Sequence, residues 1–212
     1  LISSAEENSL YSVFYKNTWT LLHQLTSAMF KIGASHKNIS FFILGLNTFI
    51  IALSVYFSTL AISKNSLFAF FVTTGVLFTG KNFGDTDYPS LVFSEHTYGM
   101  YALSLTSLVI GLLFLKKDII ATALSLILIA VHPVVGMWNL VLIIFTIIII
   151  DKSKIKSIIF SRKLLAGIFI LFISFIIFYK NAKFQFNYDQ ISYNEYLEFW
   201  EGHRSFYNSE IH

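Results

Sequence analysis

Residues 119–150 read "IIATALSLILIAVHPVVGMWNLVLIIFTIIII", 32 residues without an aspartate, glutamate, lysine or arginine. As one helix at ~1.5 Å per residue this stretch would reach about 48 Å, far beyond a hydrocarbon core of ~30 Å. Pro133 and Gly136 interrupt it near the middle. A proline inside a helix removes a backbone donor and clashes with the preceding turn. The chain therefore predicts a helical hairpin, 119–134 one way and 137–150 back, with "HPVVG" at the turn.

The rest of the chain has the same character. It is 55% hydrophobic and 13% charged, with a mean hydropathy of +0.66. A soluble domain carries roughly a quarter charged residues. The expected fold class is all-α, a polytopic transmembrane helical bundle with amphipathic interfacial helices. Four more apolar stretches, 41–62, 67–79, 97–115 and 164–179, complete six expected crossings, with Ser40 a candidate cap for the first. Residues 8–32 carry apolar side chains at near-helical spacing, which suits amphipathic helices lying on a membrane surface. The expected organisation is an extracytoplasmic amphipathic segment (1–39), a transmembrane domain (40–179) and an extracytoplasmic aromatic and acidic segment (180–212). The chain reads as a piece of a longer polytopic protein. It has no cysteine, so disulfides, thiolate metal sites and cysteine nucleophiles are excluded. A net charge of +3 is too small to point to nucleic acid, so membrane lipids are the expected surroundings.

Charge placement orients the spans. With the hairpin, Lys64, Lys116, Lys117, Lys152, Lys154, Lys156, Arg162 and Lys163 fall on one side, with Asp118 and Asp151 as its only acids; the other ten of the twelve acids fall opposite. Short cytoplasmic loops are rich in lysine and arginine, so the basic side is expected in the cytoplasm of a multi-pass protein of the inner (plasma) membrane. Asp118 is a candidate cap for the helix that begins at 119, with Lys116 and Lys117 closing the one before.

Candidate functional residues cluster on the opposite side. The connection 80–96, "GKNFGDTDYPSLVFSEH", brings Asp85, Asp87, Glu95 and His96 into one short segment. Paired carboxylates at Asp85 and Asp87 suit a divalent cation such as Mg²⁺ or Mn²⁺; "GDTDYP" is equally ordinary turn chemistry. Glu95 or His96 suits general acid–base work if burial brings its pKa toward neutrality, and acids there also suit a helix N-terminus. His132 lies at the outer turn of the hairpin, where a histidine is either functional or bonded to backbone freed by Pro133. Trp138 and Asn139 suit interface anchors, and Asn47 suits a helix-packing hydrogen bond. In "YDQISYNEYLEFWEGHRSFY", 188–207, Trp200 offers a flat amphipathic ring for a sugar or headgroup, and Arg204 beside His203 can clamp a phosphate. Each of these also suits an ordinary surface at a membrane interface.

An amphipathic segment with acids near its start ("AEENS", Glu6 and Glu7), then many spans with acids in the next outer connection ("GDTDYP"), resembles the C-type glycosyltransferase superfamily of membrane enzymes. The resemblance is architectural and covers roughly 1–179. It implies transfer of a sugar from a polyprenyl-phosphate carrier at the extracytoplasmic face. It also implies that Glu6 or Glu7 corresponds to the first acidic position and Asp85 with Asp87 to the second. Two other activities share these features. One is a lipid-linked glycan polymerase or ligase; the other is a transporter using Glu95, His96 and His132 as a proton relay.

Overall fold

The computed structural model describes residues 18–79 and 98–181, and 88% of these are helical. Among them run eight helices: α1 (Leu21–Lys31), α2 (His36–Ser63), α3 (Ser66–Thr79), α4 (Tyr98–Phe114), α5 (Asp118–Val131), α6 (Pro133–Asp151), α7 (Lys154–Ile159) and α8 (Arg162–Asn181). The fold is an all-helical membrane bundle with amphipathic helices at its margins. Three helices, α2, α6 and α8, are long and apolar enough to cross a membrane, while α3, α4 and α5 are apolar but shorter.

Burial shows which solvent the bundle fits. Phe49, Phe145, Ile149, Phe169 and Phe172 all point outward, while Asn47, Ser104, Ser125 and Ser174 are buried. A water-soluble bundle would reverse that arrangement. In lipid, large apolar side chains belong outside, and small or polar ones tie the helices together. The chain is therefore a membrane protein.

The interhelical bonds also give the direction of each helix. Ser104 donates to Asn47 Oδ1 at 3.1 Å, and the Tyr101 hydroxyl donates to the Ile43 carbonyl. Gly111 lies against Ser58. Rising numbers on α2 thus match rising numbers on α4, so the two run parallel, with α3 returning between them in sequence. Asn47 is the helix-packing residue that its position suggested. Asn139 donates to Thr106 Oγ1 at 2.8 Å and is buried, tying α6 to α4; it is not an interface anchor. Trp138, one residue earlier, is exposed.

The hairpin is present with a tighter turn than "HPVVG". The helix α5 ends at Val131, His132 alone is extended, and Pro133 already opens α6. Proline is preorganised for a first helical position, where its missing N–H costs nothing. At its far end the hairpin closes where Lys154 Nζ meets Asp118 Oδ2 at 2.7 Å. Asp118 is thus the first residue of α5 and binds a lysine across the bundle, whereas Lys117 holds the cap position. Likewise α2 begins earlier than expected, at His36, because Ser35 accepts the Asn38 N–H at 3.3 Å; Ser40 lies inside the helix.

At the centre lies α5, packed on α4, α6 and α8 and touching α1. Its 14 residues span about 21 Å at ~1.5 Å per rise. That is short for a bilayer, but its neighbours shield it: Ala121, Ser125, Leu128 and Ala130 are fully buried. Two glycines let helices close in. A Cβ on Gly167 would lie 2.8 Å from the Ala123 carbonyl, and one on Gly136 would lie 2.3 Å from the Ile129 nitrogen.

Candidate functional site

The bundle has two chemically different ends. At one, the turns after α2 and α4 and the stretch through α7 into α8 carry Lys64, Lys116, Lys117, Lys152, Lys154, Lys156, Arg162 and Lys163. The two acids there are already engaged. Asp118 accepts from Lys154, whose ammonium is held above its ordinary pKa chiefly by that bond. Asp151 accepts from the Ser153 hydroxyl and the Ser153 N–H. The sequence suggested a plain basic connection over 151–163, but the chain forms α7 there. Its Ile158 is buried against the bundle, and Lys152 and Lys156 stay exposed. The signal was present in "KIKSII", where apolar residues three apart share a helix face.

At the other end, His132 occupies the turn of the hairpin. Its Nδ1 accepts the Val135 N–H at 3.4 Å, so the imidazole caps α6. In the neutral ring the proton then resides on Nε2. Because Asn139 pairs with Thr106, and Leu113 shares a cleft with Thr146 and Ile147, α4 and α6 run parallel. Counting back about two turns on each helix brings His132 level with Tyr98, where α4 begins. Glu95 and His96 precede Tyr98 by three and two residues in sequence; both lie outside the described residues. Outside them too lie Glu6, Glu7, Asp85, Asp87, Trp200, His203 and Arg204. Among the described residues, no three histidine, aspartate or glutamate side chains gather to hold a metal.

The capping bond makes a definite prediction for His132. Replacing it with alanine should cost about 0.5 kcal/mol of stability, the lower end for a lost cap because the bond is long. Thermal unfolding in detergent measures this. A normal melting curve together with lost activity would instead assign His132 to chemistry.

Sequence reading also missed the anchor of α1. Trp19 Nε1 donates to Ser174 Oγ at 2.9 Å, and its ring stacks on Phe178 and meets Phe175 edge-on. Gln24 donates to the Ser174 carbonyl at 2.8 Å. These contacts fix the amphipathic helix α1 to α8. On the same helix, burial holds the His23 pKa below its ordinary value of 6.5. A base with a depressed folded pKa contributes its stability above the unfolded value and loses it as pH falls. Acidification from about pH 7 to 5 should therefore loosen α1. Trp19 fluorescence reads this out once Trp138 and Trp200 are replaced by phenylalanine: its emission should shift to the red in acid. In His23→Gln the shift should vanish; an unchanged acid shift in that variant would exclude His23 as its source.

No family model, curated protein or solved structure matches the chain.

Proposed function

We propose that the chain is an integral-membrane glycosyltransferase that uses a polyprenyl-phosphate-linked sugar at the extracytoplasmic face of the inner (plasma) membrane. One observation carries the reading: among the described residues, aspartate, glutamate, lysine and arginine are kept out of the interior of the bundle and lie toward its ends. The buried polar side chains Asn47, Ser104, Thr122, Ser125, Asn139 and Ser174 are uncharged. Those of α2, α4 and α6 spend their hydrogen bonds on helix packing. Eight of the eleven described lysines and arginines lie at one end, while α3 ends and α4 begins at the other; in sequence, Asp85, Asp87, Glu95 and His96 fall between those two helices. Proton-coupled transport needs ionisable groups along the path through the membrane. Chemistry at the surface needs them outside it.

In this reading Glu95 or His96 takes the proton of an acceptor hydroxyl. The acceptor oxygen attacks the anomeric carbon, and the bond to the carrier phosphate breaks, leaving polyprenyl phosphate. A divalent cation bound by Asp85 and Asp87 would neutralise charge on that phosphate. By residue type, Arg204 and His203 suit binding of a phosphate and Trp200 suits support of a sugar ring. Glu6 or Glu7 serves as the further acid that the superfamily resemblance implies.

Topology is tested first. The chain has no native cysteine, so single cysteines at Ser90, Val134 and Ser157 can be probed directly with an impermeant thiol reagent on intact cells. Val134 and Ser157 are both exposed in the bundle. Labelling at 90 and 134 but not 157 is expected, and sugar transfer from lipid-phosphate donors is then assayed on the full chain. Labelling at 157 alone would overturn the extracytoplasmic placement, and a full chain in liposomes that moves protons with a solute and transfers no sugar would overturn the reading in favour of a transporter.

A further inference from the structure

We propose that the basic end of the bundle is a binding surface for anionic phospholipid, centred on the α4–α5 turn and α7. The inference is independent of the catalytic reading above. It begins with the 2.7 Å contact between Asp118 and Lys154. That contact joins two segments 36 residues apart in sequence. It brings Lys116 and Lys117, which directly precede Asp118, beside Lys152 and Lys156, which flank Lys154. Arg162 and Lys163 follow one helix later.

These six cations are all exposed, and among the described residues no carboxylate pairs with any of them. The two acids at this end offset little of this charge. Among the described residues of this end, Asp118 is balanced by Lys154, and Asp151, bonded to Ser153, keeps its single negative charge. Six exposed cations thus face one uncompensated carboxylate, and the net positive surface favours an external anion.

The neighbouring apolar groups identify that anion. The helix α7 turns Ile158 into the bundle, while Ile159 and Phe160 stand 54% and 76% exposed between the lysines and Arg162. A soluble phosphate has no use for exposed isoleucine and phenylalanine. A phospholipid does, because its acyl chains cover the apolar side chains while its phosphate meets the cations. A short amphipathic helix with basic and large apolar residues at the end of a membrane bundle is suited to lie at the headgroup boundary. Lysine and arginine near an anionic leaflet gain electrostatic attraction in proportion to their number.

The test uses the full chain in a neutral detergent, offered phosphatidylglycerol and phosphatidylcholine in equal amounts and examined by native mass spectrometry. Phosphatidylglycerol adducts should exceed phosphatidylcholine adducts by roughly tenfold. The exposed-lysine variant K116Q/K117Q/K152Q/K156Q, which keeps the Asp118–Lys154 contact, should lose that preference. K31Q/K37Q, at the opposite end, should retain it. Equal adducts of the two lipids in the native chain, or a preference that survives in the four-lysine variant, would overturn the proposal. Displacement of phosphatidylglycerol by millimolar inorganic phosphate would overturn it too, by making the surface a site for a soluble anion.

Discussion

Gly136→Ala should destabilise the protein by about 3 kcal/mol, the upper end of what overpacking costs. An added Cβ would lie 2.3 Å from the Ile129 nitrogen, 2.4 Å from its Cα and 2.6 Å from the Leu128 carbonyl carbon. All three are backbone atoms, so no side chain can rotate away. The first turn of α6 would have to lift off the last turn of α5, which disturbs the most buried helix of the bundle. Gly45 supplies the control. It lies in α2 with nothing within 4 Å of its Cβ position, so Gly45→Ala should stabilise its helix by roughly 0.5–1 kcal/mol through propensity alone. Denaturant unfolding in detergent compares the two. Equal effects at the two sites would refute the close approach.

The second large effect concerns chemistry. If Glu95 is the general base of sugar transfer, Glu95→Gln should lower kcat by about 10²–10⁴-fold while the melting temperature stays that of the parent chain. Glutamine keeps the size and loses the proton acceptor. His96→Gln separates the two candidates, since only the true base should show the full loss. Wild-type rates in both variants would remove Glu95 and His96 from catalysis.

The pattern of helices was legible from length and hydropathy, because six apolar stretches separated by polar turns leave few alternatives in lipid. The hairpin in particular follows from Pro133 and from the impossible length of 119–150. What escaped notice depends on contacts between residues distant in sequence. Asp118 looked like a cap because helix starts favour acids, yet Lys154, 36 residues away, claims its carboxylate. Nothing in "AVHPVVG" announces that Gly136 faces another backbone. Trp19 gave no sign that its partner is Ser174, 155 residues on. The candidate site was legible only as chemistry, carboxylates and a histidine gathered on one side. Of its residues, His132 alone lies in the described bundle, and there its ring closes a helix turn.

The shortness of α5 bears on how the protein is made. A 14-residue segment carrying Thr122 and Ser125 is a poor candidate to settle alone in a bilayer as it leaves the ribosome. Beyond α4, which is made before it, it gains its shelter only when α6 and α8 fold back along it. The segment should therefore take its stable place in the membrane only after synthesis has passed Asn181. A released chain truncated at Val131 should leave a cysteine at Ser125 open to water-soluble thiol reagents, and one truncated after Asn181 should hide it. Biogenesis then has a commitment point written into the geometry: the order in which helices are synthesised differs from the order in which they can be stably inserted.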